Sequence, residues 1–168
     1  VDYVNWIGKD VTGSVRPLGA GTKMPQLLNR AADPQKGKIV FVNNCQRCHG
    51  ENGQGVLSDD VVSYTYPPLW GENSFNSSAG MYRLSYLAGF IKNNMPFQEA
   101  SWKFPKLTDE QAWDVAAYIA SQPRPEKRFP YDWPNISKKP FDFPFGPYAD
   151  NFSEQQHKYG PFLPIQNE

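Results

Sequence analysis

Cys45-Gln46-Arg47-Cys48-His49 is the stretch on which the fold turns, and the residues before it read as a helix. Asp33-Pro34 offers an N-cap followed by a proline at the first helical position, which opens a helix through about Asn44. Gly37, Phe41 and Cys45 are spaced i, i+4, i+8 and share one of its faces. Downstream, Met81, Leu84, Leu87, Phe90 and Ile91 make the apolar stripe of a second helix, from about Ala79 to Lys92 with Ser78 as cap. Asn93-Asn94 breaks that pattern, and Pro96 pushes Met95 into an extended conformation. Thr108-Asp109-Glu110-Gln111 is a capping box, and its helix runs to about Ser121, stops before Pro123 and is lined by Ala112, Val115, Ala116 and Ile119. No segment reads as a sheet. The expected fold is an all-α core over residues 34–122 with long irregular ends. Residues 1–33 form an arm with one helical turn near Met24–Arg30. Residues 123–168 hold nine prolines and ten aromatics without a sustained period. Such a tail cannot expose all its rings without a large apolar patch, so it is expected to wrap the core as a strap and shield the site.

Composition narrows the function. In 168 residues, seventeen basic and seventeen acidic side chains cancel, and both signs are spread along the chain. No segment has the Lys/Arg excess that phosphate binding requires, so nucleic acid is not an expected partner. No apolar run approaches the length of a membrane span. Aromatic content of 15% argues against disorder.

The pentapeptide is a C-x-x-C-H box, the attachment signature of c-type haem. Two intervening residues let both thiols reach the two vinyl groups on one side of the porphyrin. The next residue, His49, is then held beneath the iron as its proximal ligand. A zinc site would have to combine Cys45, Cys48 and His49 with His157, and adjacent Cys48 and His49 suit one tetrahedral ion poorly. A thioredoxin-like pair lacks its βαβ context, and a disulfide closing so short a loop restricts little of the unfolded chain. One covalent haem c is therefore the expected cofactor. For the sixth position the chain offers Met24, Met81, Met95 and His157. Met95 is favoured because its extended stretch after a helix end can approach the haem face opposite His49, whereas Met81 sits on an apolar stripe where methionine fills core. His157 reads as a tail-packing or surface imidazole. Leu69 and Trp70 are candidate cleft-lining residues and Arg83 a candidate partner for a haem propionate.

The order of Gly37, Phe41, the C-x-x-C-H box, Pro68-Leu69, Asn94-Met95-Pro96 and a last helix with Tyr118 resembles class I cytochromes c. That resemblance implies that the first and last helices cross where Gly37 and Phe41 meet Tyr118. It also implies that the Pro68 carbonyl accepts a hydrogen bond from the proximal imidazole, which fixes the ring. A narrower resemblance is to the C-terminal haem domain of thiosulfate dehydrogenases. It rests on Pro67-Pro68-Leu69-Trp70-Gly71, Ser74-Phe75-Asn76, Ala79-Gly80-Met81, Ala112 to Ile119, and Pro144 to Asp150. Those enzymes carry two haems, and the resemblance assigns substrate chemistry to the other, histidine/cysteine-ligated one. This chain has one box and no cysteine to spare. The expected function is one-electron transfer between redox partner proteins in the periplasm, with sulfur-compound oxidation as its expected setting, after export on a signal peptide since removed. The competing expectation is a haem enzyme, or the electron-accepting subunit of a thiosulfate dehydrogenase-like complex.

Overall fold

In the computed structural model, which describes residues 1–9, 22–129 and 132–167, two helices crossing at one glycine organise the rest. Helix α1 (Asp2–Ile7) precedes α2 (Pro34–Asn44), α3 (Gln46–His49), α4 (Leu84–Asn94), α5 (Asp109–Ser121), α6 (Glu154–Tyr159) and α7 (Leu163–Gln166). Asp33 caps α2 by accepting from the Gln35 and Lys36 amides, and Thr108 and Gln111 form the expected reciprocal box on α5. At the crossing a Cβ added to Gly37 would lie 1.9 Å from the Asp114 carbonyl oxygen, so only glycine lets the backbones approach. Phe41 then packs 5.5 Å from Tyr118 and 5.0 Å from Trp70, ring centre to ring centre. Helix α4 closes the core with Leu84, Leu87, Ala88 and Ile91 against Val115, Ala116 and Ile119.

The helix expected over 79–92 is instead a 3-10 turn, Gly80–Tyr82, an extended Arg83, and then α4. The cause lies sixty residues away in the chain. Asp142, fully buried, accepts from the Ser85 amide and from Arg83 Nε, both at 2.9 Å. A carboxylate from the tail thus satisfies the first-turn amide of α4 and starts the helix there. At the other end Asn93 and Asn94 bond back to the Gly89 and Phe90 carbonyls, which carries the helix past Lys92. Lys92 itself pairs with Asp109.

Two further expectations are corrected. A short antiparallel ribbon pairs Val56–Leu57 with Tyr64–Tyr66, although the fold remains helix-dominated. Such short, half-exposed strands leave no alternation long enough to see. No helical turn forms at Met24–Arg30; this stretch is held extended by its carbonyls, Gln26 accepting from Trp113 Nε1 at 2.8 Å and Lys23 from Asn93 at 2.7 Å. The reading of residues 10–21 as irregular arm lies outside the described residues.

Buried carboxylates fasten the segment that leads into α2 and the tail. Asp114, 3% exposed, takes both Arg30 nitrogens at 2.8 and 2.9 Å and the Asp33 amide at 2.8 Å. Its hydrogen bonds and charge raise the Arg30 pKa. Asp142 does the same work for the tail, which also buries Phe162 against Trp113 and donates the Tyr159 carbonyl as acceptor to the Ala32 amide. His157 packs inside the tail, 3.7 Å from the parallel Tyr148 ring, with Nδ1 2.8 Å from the Phe141 carbonyl and Nε2 3.0 Å from Asp150.

Gly37→Ala is expected to destabilise the protein by about 1–3 kcal/mol, since a methyl group at the crossing must force two backbones apart. Gly80→Ala, where an added Cβ meets nothing within 4 Å, should stay within about 0.5 kcal/mol. Urea unfolding of the two variants measures the difference.

Candidate functional site

The site begins where α2 ends. Cys45 is the C-cap of α2 (φ −118°, ψ −37°), its amide donating to the Phe41 carbonyl at 2.8 Å. The chain then re-enters a single turn, α3, held by Cys48 and His49 amides that both donate to the Cys45 carbonyl, at 3.1 and 3.0 Å. Gly50, at φ +82°, ends that turn. The Phe41 packing therefore fixes α2, α2 fixes Cys45, and Cys45 fixes the short turn carrying Cys48 and His49. Both thiols are half-buried and free of any disulfide. Burial, with the neighbouring Cys48 adding and Arg47 opposing, pushes the Cys45 thiol up to about 11. A neutral thiol is a poor attacking nucleophile, so Cys45 is not the low-pKa cysteine of a redox dithiol.

His49 is 8% exposed, and its Nδ1 lies 2.8 Å from the carbonyl oxygen of Pro67. A carbonyl can only accept, so Nδ1 bears the hydrogen and Nε2 keeps its lone pair for a metal. The resemblance named Pro68 for this role, and the structure corrects it by one residue. Pro68 is buried, while the exposed Pro67 turns its oxygen toward the ring. The close packing of this stretch depends on Gly55, at φ +76°, where an added Cβ would lie 2.8 Å from the Pro67 carbonyl carbon and 2.7 Å from the Pro68 nitrogen. Leu69 follows, its amide bonded to the Gly53 carbonyl at 2.8 Å, and packs half-buried against the core. Trp70 is taken into the helix crossing between Phe41 and Tyr118.

Met95 caps α4 in extended geometry (φ −121°, ψ 142°), as Pro96 requires, and lies half-buried against the core. Arg47 of α3 pairs with Glu99 in the loop after Met95, joining the histidine turn to the methionine loop across the surface. Met81 is also half-buried on the core, and Met24 is exposed. Arg83 does not serve as a free cation: its guanidinium is committed to Asp142 and stacked 4.3 Å from the Tyr86 ring centre. No pattern in the sequence pairs residues 83 and 142, so that commitment was invisible before the fold was known.

The donor set fits haem c. It comprises two free thiols in one turn, an imidazole with Nδ1 occupied and Nε2 available, and a thioether on a neighbouring loop. It does not fit zinc, because His157 is engaged inside the tail and no three His, Cys, Asp or Glu side chains converge among the described residues. No helix among the described residues is long and apolar enough to cross a membrane.

Residues 34–123 match the cytochrome c family model. Thiosulfate dehydrogenase from Psychrobacter arcticus is 39% identical over 137 residues, a match covering 80% of this chain and 40% of that protein. Cytochrome c6 from Parathermosynechococcus lividus is 34% identical over 91 residues, covering 54% of this chain and 92% of its own length. The solved "as isolated" form of thiosulfate dehydrogenase (TsdBA) from Marichromatium purpuratum superposes with a TM-score of 0.65 at 35% identity, over 80% of this chain and 28% of that one. The chain spans well under half the length of the thiosulfate dehydrogenases it matches. The helix crossing, the Cys45–His49 turn and these matches lead to one assignment: the chain belongs to the cytochrome c family, as a class I c-type cytochrome with covalently bound haem c and an electron-transfer function.

Proposed function

We propose that residues 34–122 hold one haem c, bound through Cys45 and Cys48 with His49 and Met95 as axial ligands, and that the chain carries single electrons between redox partner proteins in the periplasm. The carrying observation is the His49–Pro67 hydrogen bond beside two free thiols. When bound, haem supplies a one-electron iron couple whose potential is set by its ligands and their surroundings. The residues supply the rest. Pro67 fixes the tautomer and plane of His49 and strengthens it as a donor. Pro96 holds the Met95 backbone extended. With His49 and Met95 both holding the iron, the coordination would stay the same in both redox states, which would lower the cost of each electron exchange and leave a substrate no open position.

The likeness to thiosulfate dehydrogenases supports placing this exchange in sulfur-compound oxidation. A second reading follows from the chain's 40% coverage of such a relative: it acts as the electron-accepting part of a larger thiosulfate-oxidising assembly. Both readings leave the chain alone unable to turn over thiosulfate. Joining two thiosulfates through a new S–S bond releases two electrons, and one haem accepts one. Cys45 and Cys48 are spent as thioethers and supply no sulfur nucleophile.

Two outcomes follow. Met95→Ala should keep its haem through acid–organic extraction, become open to carbon monoxide or cyanide, and fall in potential, since a thioether ligand raises it. A spectrum and potential identical to the parent protein would remove Met95 from the ligand set and pass the role to Met81. In a steady-state assay with an artificial acceptor, the isolated chain should form no sustained tetrathionate, yet stopped flow should show rapid reduction by a partner cytochrome. Sustained tetrathionate formation would make it an enzyme.

A further inference from the structure

His157 has an acceptor at each of its two ring nitrogens. The residue is 2% exposed on α6, with Nδ1 2.8 Å from the Phe141 carbonyl oxygen and Nε2 3.0 Å from Asp150 Oδ1. A carbonyl only accepts, so Nδ1 must carry a hydrogen. A neutral ring would then turn the Nε2 lone pair toward a carboxylate. Both contacts are satisfied together when the ring carries two hydrogens, and the shared proton rests on imidazole, a stronger base than a carboxylate. Asp150 is fixed to receive it, since the same Oδ1 accepts from the Phe152 amide at 3.0 Å. The other titratable groups around the ring do not replace this pairing. Tyr148 lies parallel to it at 3.7 Å, and burial raises the Tyr148 pKa, so that ring stays neutral. Glu154, one turn earlier on α6, adds negative charge beside Tyr148. Lys139 is bonded to the Phe145 and Pro147 carbonyls, and Lys158 is turned to Tyr82 and Tyr159. Among the described residues, Asp150 is the charged group bonded to the ring.

The carbonyl that His157 holds belongs to the peptide just before Asp142. Asp142 in turn accepts from the Ser85 amide and Arg83 Nε, both at 2.9 Å, and so starts α4. One peptide and one side chain therefore separate the imidazole from the first turn of that helix. When the ring gives up a proton it can donate to only one of its two partners, and the other acceptor then faces a lone pair. We infer that His157 is a proton-operated latch on the strap. Doubly protonated, it ties the Phe141 carbonyl to Asp150 and keeps Asp142 on α4; deprotonated, it releases Asp142 from the first turn of α4. The closed strap holds a proton that the open strap yields more readily, so the latch is secure on the acidic side and weakens as pH rises. It works independently of what the Cys45–His49 turn binds.

The test uses the full chain, isotope-labelled at nitrogen, and NMR from mildly acidic to alkaline pH. Two signals are followed: the ring nitrogens of His157, assigned by their loss in His157→Gln, and the exchange protection of the Ser85 amide, corrected for base catalysis of exchange. The Ala116 amide, inside α5, is the control. On the acidic side both ring nitrogens are expected to carry hydrogen. Protection at Ser85 should fall roughly tenfold as the ring loses its proton, the worth of one charge-assisted hydrogen bond, while Ala116 stays protected. Asp150→Ala should move the ring titration and the loss of Ser85 protection to lower pH together. If that variant does not fold, the two titrations of the parent protein decide. A ring whose hydrogen count does not change across the range, or Ser85 protection that stays flat while the ring titrates, overturns the latch.

Discussion

The backbone contact between Gly37 and the Asp114 carbonyl is the constraint through which this protein is assembled. Remove the glycine's freedom from a Cβ and α2 cannot lie on α5 at its present distance. With it in place, Phe41 reaches Tyr118 and Trp70, the end of α2 is fixed, and Cys45 begins the short turn that carries Cys48 and His49. The residue on the other side of the contact has a second role. The Asp114 side chain binds Arg30 and the Asp33 amide, so the same point of α5 receives both the crossing helix and the segment that leads into it. A buried carboxylate is costly to desolvate, and it is stabilised here by several donors from one guanidinium and one amide.

Asp142 repeats this device for the tail. Its hydrogen bonds to Arg83 and the Ser85 amide determine where α4 starts, and the length of α4 in turn sets where Met95 emerges. The segments that carry His49 and Met95 are thus positioned by two buried acids, one contributed by the last core helix and one by the strap. This makes the strap part of the site's geometry. It also accounts for two of the half-buried cations: Arg30 and Arg83 are consumed by these acids.

Where chemistry or local propensity dictates structure, the reading from residues alone was close. The Asp33-Pro34 start, the Thr108–Gln111 box and the extended Met95 before Pro96 each follow from a backbone rule that tertiary structure had no reason to override. The C-x-x-C-H box carries its chemistry in its spacing. What was not legible depends on distant partners. Pro67 and Pro68 are adjacent and chemically alike, and the choice of carbonyl facing His49 is made by how the chain packs against Gly55, not by either residue's own preference. Arg83 looked available because Asp142 lies 59 positions on. The break before α4 and the extended path of residues 22–28 are likewise set by groups far along the chain, and the two-stranded ribbon is too short for its alternation to register.

The proposed ligand set puts one imidazole nitrogen and one thioether sulfur on the iron of a covalently attached haem in both redox states. X-ray absorption at the iron edge, recorded on the oxidised and the reduced protein, examines this most directly. The account predicts five nitrogen neighbours and one sulfur in each state, with bond lengths that change little between them. A light atom in place of sulfur in either state, or loss of the sixth neighbour on reduction, would contradict it.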